Sequence, residues 1–532
     1  MGQTLLIGLD GATFTVLDAL MEDGTMPFLG QFVARGTRAV LRSTPNPLTP
    51  PAWTSLVTGR GPGMHGIYDF IRSQERDGEM YFTLNNFRDI RSETIWSMAS
   101  RQGRTVTSLN FPLMAPPPSV AGHVVPGLTS WRHLRRSVHP PGLHERLLAI
   151  PGLSFKDMAW DFELEKKAAR VVPPEEYESW IRFHIARERH WADVATHLMT
   201  TEPSALTAVI FDGADKLQHI CWRFLDPALA GTLSSPWERQ IRDLCREYFR
   251  TLDGHVAALA ALAGPESRIF FVSDHGFGPT REVFRVNVWL HQQGYLQWRD
   301  TSGLDEAGRA SLERRINADF ALLEWEKTVA YARTASSNGI YIRVAGDGGA
   351  SGIPAEEYQP FRDQLVQSLL EIAHPTTGER IVERVMPREE AFPGDSCHMA
   401  PDLTLVLRDS GFISIANREP FLEARPEVAG THRPEGIFIA GGAGLCRGLA
   451  LPPIEMVDIA PTLLYCLGLP IPEDLEGRVV RDAFEPACLG ADPPRRGERT
   501  RSPDSLVAAS PAAEDADEAK VMNRLKALGY LE

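Results

Sequence analysis

Residues 4–11 read Thr4-Leu5-Leu6-Ile7-Gly8-Leu9-Asp10-Gly11. An apolar run this continuous, without the alternation of a half-exposed strand, predicts a strand buried on both faces, as in a mostly parallel sheet covered by helices. Comparable runs recur at Ala39 to Leu41, Thr105 to Leu109, Leu206 to Phe211, Arg268 to Val272, Leu403 to Leu407 and Ile437 to Ala440, with longer helical patterns between them. The alternation predicts an α/β fold: a largely parallel central sheet with helices on both faces. The first run ends in Asp10-Gly11, which sets a carboxylate at the carboxyl end of a core strand, where ligands of open α/β sheets gather. The same dipeptide is also an ordinary turn.

The chain has 532 residues, 43% of them hydrophobic and 23% charged, enough to bury a large core. A formal net charge of -14 excludes a general nucleic-acid-coating surface, which needs Lys and Arg to replace released counterions. Its six cysteines are scattered without short paired spacings, so reduced thiols are expected in place of a Cys-type zinc site or a disulfide framework. No signal-peptide pattern precedes Thr4, and no uninterrupted apolar stretch reaches the roughly 20 residues that span a bilayer. The expectation is a soluble, cytoplasmic protein without a membrane span.

Working outward, a catalytic domain is expected over residues 1–480, interrupted by two inserted segments, about 112–171 and about 281–401. The second carries a helix candidate from Glu356 to Ile372. Both suit caps or lids. Residues 481–520 turn to Pro, Arg, Ser, Ala and acid, with too little apolar surface to fold alone, and are expected to be a disordered linker. Residues 521–532 have the apolar spacing of a short helix that docks on the core or on a partner. No internal repeat is evident.

Four further stretches carry chemistry. Pro45-Asn46-Pro47-Leu48-Thr49-Pro50-Pro51-Ala52-Trp53 leads into a helix that stops at Gly59, with Thr49 expected as N-cap and Pro50 at the first helical position. A hydroxyl there feels the positive end of the helix dipole and becomes a good alkoxide if a divalent cation also lowers its pKa. Phe211-Asp212-Gly213-Ala214-Asp215-Lys216-Leu217-Gln218-His219 places Asp215 and His219 at i and i+4, one turn apart on a helix, as two ligands of one metal require. Asp212 reads as a strand-end cap. Phe271-Val272-Ser273-Asp274-His275-Gly276 puts a hard carboxylate beside a borderline imidazole immediately after a strand, a pairing suited to zinc or manganese. His432, in Gly430-Thr431-His432-Arg433-Pro434, offers another imidazole on an expected loop.

Taken in order, these pieces resemble the alkaline phosphatase superfamily, and within it the type I phosphodiesterase/nucleotide pyrophosphatase branch. The resemblance runs from Asp10 to about Gly477 and includes Met26-Pro27, His65-Gly66-Ile67-Tyr68-Asp69-Phe70 and Asp458-Ile459-Ala460-Pro461-Thr462. It is similar to a bacterial phosphohydrolase/phosphomutase group. The resemblance implies one metal on Asp215, His219 and His432, and a second on Asp10, Thr49, Asp274 and His275. Thr49 is then the nucleophile, and the cofactors are two divalent ions, zinc first and manganese second. His65 falls in the family pattern without being a ligand and reads as structural.

The implied activity is cleavage of a small-molecule phosphoester through a phospho-threonine. Transfer to another hydroxyl would make the same site a phosphomutase or phosphotransferase, and a catalytically degenerate scaffold is the reading from another class. The sulfatase branch does not fit, because Thr49 replaces its modified Cys or Ser and lacks the x-Pro-x-Arg that follows. Nucleotide pyrophosphatases carry an Asn three positions after the nucleophile, where this chain has Ala52, which predicts weak nucleotide pyrophosphatase activity. With Pro50 and Pro51 lacking N–H groups, the Thr49 and Ala52 amides are the local donors. Lys216, Arg433 and Arg281 are the candidates for contacting substrate, by nearness in sequence to the ligands. Trp131, Trp160 and Trp289, within the inserted segments, are candidates to flank a leaving group.

Overall fold

A computed structural model describes residues 2–76, 79–159, 173–300, 303, 322–345 and 352–501. The central sheet is built from β1 (Thr4–Leu9), β2 (Thr37–Arg42), β3 (Val106–Leu109), β4 (Gly122–Val125), β5 (Leu206–Phe211) and β6 (Arg268–Val272). A longer ribbon follows: β7 (Gly276–Arg285), β8 (Leu422–Arg433) and β9 (Glu435–Gly442). Across the main sheet the order is Leu449–Ala450, β2, β9, β6, β1, β5, β3, β4. The block β6-β1-β5-β3-β4 is parallel throughout. Only β9 runs antiparallel, against β2 and β6, so the sheet is largely parallel.

Register decides where the chemistry emerges. Leu9 pairs with Phe211, and Gly8 with both Ile210 and Val272, so β1, β5 and β6 end together. Asp10, Asp212 and Ser273-Asp274 therefore leave the sheet at one edge. Alternation along β1 explains why both faces are apolar. Leu5, Ile7 and Leu9 join one cluster, with helices Tyr177–Thr201, Gly213–Leu225 and Pro236–Ala263. Leu6 joins the other, with Trp53, Leu56 and Leu463.

The run Leu403 to Leu407 is not in this sheet. It lies between Gly339–Ile342 and Val382–Pro387 in a separate four-stranded sheet that begins with Ala330–Ala332. That sheet has an apolar core of its own, including Trp289, Leu365, Leu369 and Leu405. An interior strand of a small sheet is as buried as one of a large sheet, so apolarity alone did not separate them. The helix candidate near Glu356 forms as Tyr358–Leu370. Within the first inserted segment, Gly122–Val125 extends the main sheet itself by pairing with β3.

Residues 481–501, read from composition as linker, are packed on the catalytic domain. Ala483 and Phe484 are buried, Arg496 and Gly497 pair with Ile471 and Pro472, and the Thr500 amide donates to Asp474 at 2.9 Å. The expected C-terminal helix at 521–532 lies outside the described residues, as does Trp160. All six cysteines are free thiols. Among the described residues no helix is long and apolar enough to cross a membrane.

Candidate metal centre

Asp215 and His219 sit on the helix Gly213–Leu225 that follows β5. His432 comes to them from inside β8, paired opposite Phe277 of β7, and not from a loop as expected. His432 Nε2 lies 3.1 Å from His219 Nε2 and 3.2 Å from Asp215 Oδ1, and His219 Nε2 is 3.4 Å from that same oxygen. Donors bonded to one tetrahedral ion at about 2.0–2.1 Å stand about 3.3 Å apart, so this spacing suits a shared cation. A second group adjoins it. His275 Nε2 is 3.3 Å from Asp274 Oδ2 and 3.7 Å from Asp10 Oδ1. The His275 and His432 rings stack with centroids 3.7 Å apart, which sets the two groups side by side.

Each carboxylate has one oxygen engaged by a protein donor and the other bare. Asp10 Oδ2 accepts from Trp53 Nε1 at 3.2 Å, Asp274 Oδ1 from the Gly11 amide at 3.1 Å, and Asp215 Oδ2 from Lys216 Nζ at 2.8 Å. Asp10 Oδ1, Asp274 Oδ2, Asp215 Oδ1 and His275 Nε2 are buried without a directed hydrogen bond. These are the atoms that face into the two groups. Unpaired buried acceptors are costly unless something binds them. The ring tautomers agree: His432 Nδ1 donates to the Pro47 carbonyl at 2.8 Å and His275 Nδ1 to the Gly276 carbonyl at 3.1 Å. A carbonyl only accepts, so in both rings Nδ1 carries a proton and Nε2 is the nitrogen that faces inward.

Charge states tell the same story. Burial, then the charges of Asp274 and Asp215, push Asp10 well above the carboxylate range. Burial pushes Asp274 up as well, and burial with the adjacent His432 holds His275 well down and neutral. Burial also opposes ionisation of Asp215, but Lys216 and His219 outweigh it and hold that carboxyl well below the usual range. Carboxylates crowded out of water around lone pairs call for cations. Three carboxylates and three imidazoles without a thiolate fit two borderline divalent ions.

Thr49 opens the helix Thr49–Thr58; Leu48 is its N-cap, one position earlier than expected, so Pro50 is the second helical residue. The nucleophile candidate is bracketed by the two groups. Pro47, two residues before it, holds His432, and Trp53, one turn after it, holds Asp10. The Ala52 amide is committed to the Leu48 carbonyl at 3.1 Å, which leaves the Thr49 amide as the donor of this first turn. Gly276 permits the close pass of the ribbon, because a Cβ there would stand 2.0 Å from the Glu435 carbonyl oxygen.

Residues 4–434 match the type I phosphodiesterase / nucleotide pyrophosphatase family. The chain belongs to that family. It is thereby a member of the alkaline phosphatase superfamily, whose phosphoester hydrolase chemistry suits the site. Similar solved structures include murine ectonucleotide pyrophosphatase / phosphodiesterase 5, in an inactive form in complex with AMP. It aligns at TM-score 0.53 and 13% identity over 91% of this chain and 100% of that one. The human protein of the same name aligns at 0.52 and 14%, with the same coverage. A phosphonoacetate hydrolase from Sinorhizobium meliloti 1021 aligns at 0.49 and 17% over 88% of this chain and 95% of its own. No curated protein matches the sequence.

Within this family member the expected substrate contacts have different surroundings. Lys216 is engaged with Asp215. Arg433 follows His432 in a strand and so projects to the opposite face, where it donates to the Pro279 carbonyl. Arg281 is exposed on β7 beside the slip in register between Ala424 and Ala429. Ala52 is fully buried in the apolar cluster with Leu6, Leu41 and Leu56. Trp289 belongs to the core of the small domain. His65 is structural, bonded to Ser55 Oγ at 2.9 Å and held by burial at a pKa of about 3. Asp212 makes no cap bond and pairs with Arg187 at 3.1 Å. Trp53 and the Gly11 amide were missed as partners of the ligands. For Trp53 the signal was present: position 53 lies four residues after Thr49, on the same helical face.

Proposed function

We propose that this chain is a two-metal phosphoester hydrolase with Thr49 as nucleophile, holding one ion on Asp215, His219 and His432 and the other on Asp10, Asp274, His275 and Thr49. The observation that carries this reading is the set of bare inward atoms in two adjacent groups, one bonded through His432 to Pro47 and the other through Asp10 to Trp53, on either side of Thr49 in the chain. When bound, two divalent ions, zinc first and manganese second, supply Lewis acidity that lowers the Thr49 hydroxyl pKa and stabilises the leaving oxygen.

The residues set the rest. Thr49 Oγ, giving up its proton to solvent, attacks phosphorus in line; the bond to the leaving oxygen breaks, that oxygen takes a proton from solvent, and a phospho-threonine forms. Water then attacks that phosphorus, which frees phosphate or a phosphomonoester and restores the Thr49 hydroxyl. The Thr49 amide, at the positive end of its helix, donates to a phosphoryl oxygen. Lys216 adds a positive charge behind Asp215, so a cage of two dications, three carboxylates and one alkoxide turns from near-neutral to favourable for an anionic ester.

Acid quenching with phosphorus-labelled substrate should leave label on Thr49. Thr49→Ala should lose roughly 10³-fold or more in turnover while keeping its metals. Phosphomonoesters, phosphodiesters and sulfate esters tested on metal-reconstituted protein would name the substrate, and transfer to an added alcohol would mark a transferase. Normal turnover by Thr49→Ala would rule out the nucleophile.

A further inference from the structure

We infer that Trp53 is a positioning residue for one metal alone: its indole N–H fixes Asp10 so that a single carboxylate oxygen is offered to the Asp10–Asp274–His275 ion. The inference rests on the two-metal reading above.

The geometry is specific. Trp53 is 1% exposed and cannot exchange its N–H partner for water. Its indole stacks edge-on against Phe111, with centroids 5.6 Å apart. It lies over Gly8 of β1, where a Cβ would come within 2.6 Å of Cη2. Gly8 and Asp10 are two residues apart and face the same side of the strand line. An indole placed over Gly8 can therefore reach the strand end with its N–H, which meets Asp10 Oδ2 at 3.2 Å. Oδ1 is left bare beside His275 Nε2.

An indole N–H only donates and does not titrate in the working range, so it orients the carboxylate without competing for its proton. Partners of this kind typically change metal affinity by about 10–100-fold. Asp215 is served by a different donor, Lys216, so the other ion should not feel the loss of Trp53.

The test is metal binding to the full chain, measured by competition with a chromophoric chelator, using zinc as the probe. Wild type should fill two sites. Trp53→Phe keeps the ring packing and removes the donor, and should weaken one site tenfold or more while the other is unchanged. The weakened site should be the one abolished by Asp10→Asn. If Trp53→Phe binds both ions as wild type does, or weakens both equally, the inference is overturned. Failure of wild type itself to bind zinc would instead overturn the two-metal reading, and this inference with it.

A second readout needs no folded Trp53 variant. With ¹⁵N-tryptophan label, one of the 11 indole resonances should shift on zinc loading of wild type and lose that response in Asp10→Asn. An indole spectrum that does not respond to zinc would count against the proposal.

Discussion

His432 Nδ1 donates to the Pro47 carbonyl at 2.8 Å, which ties a ligand on β8 to the loop that delivers Thr49. One side chain thus ties the inward-facing Nε2 of His432 to the loop before Thr49. His432→Ala should lose one of two bound ions and roughly 10³-fold or more in turnover. Asp274→Asn should lose the other. Elemental analysis of each variant beside its turnover checks this, and two retained ions in His432→Ala would reject the assignment.

The fold was legible in the sequence because Leu5 to Leu9, Leu206 to Phe211 and Ile269 to Val272 are buried on both faces, as strands of a covered parallel sheet are. The grouping of the candidate ligands was legible in part because Asp10 and Asp274 each follow a run that predicts a core strand, and Asp215 and His219 stand at i and i+4 on the helix after another. What stayed hidden depends on chain direction and pairing. His432 looked like a loop residue because Pro434 follows it closely, yet β8 holds it through the ladder to β7. Arg433 neighbours His432 in sequence, but a strand turns the next side chain to the opposite face, whereas Lys216 folds back onto Asp215.

Ala52 supplies a direct contrast between sequence and structure. It is fully buried among apolar side chains, and its amide is committed to Leu48. Ala52→Asn should cost about 2 kcal/mol or more by overfilling the site and burying an amide. Cleavage of a nucleotide diester should not rise. Thermal unfolding and a diester assay check both parts; unchanged stability with faster cleavage would show that position 52 faces substrate.

The packed chain continues beyond residue 480. Phe484 is buried, Arg496 and Gly497 pair with Ile471 and Pro472, and Arg60 bonds Asp474, which also receives the Thr500 amide. Arg60 immediately follows Gly59, the cap of the Thr49 helix, so this segment is tied to the end of that helix. A chain ending at 480 should melt several degrees below one ending at 501, since losing a buried aromatic alone costs about 3–5 kcal/mol. Equal melting temperatures would return the stretch to linker status.

A buried acid cluster behind the metal ligands should make stability depend on pH. Glu188 Oε1 accepts from the Gly213 amide at 2.6 Å and from the Tyr248 hydroxyl at 2.9 Å, at the turn from β5 into the helix that carries Asp215. Burial, then the Asp212 charge, raise its pKa to about 8. The unfolded chain should titrate near an ordinary glutamate, about 4.3. Between those values the folded state binds the extra proton, so the contribution of Glu188 is full below about pH 4 and is lost as pH rises through 8, a change on the order of a few kcal/mol. Glu188→Gln keeps a carbonyl oxygen for both donors and places an N–H where Oε2 and Asp212 Oδ1 have no partner. The variant should melt close to wild type at pH 5 and clearly above it at pH 9, with the comparison at each pH cancelling shared effects of metal binding. Parallel melting curves across that range would mean that Glu188 is ionised throughout, with Arg187 supporting it.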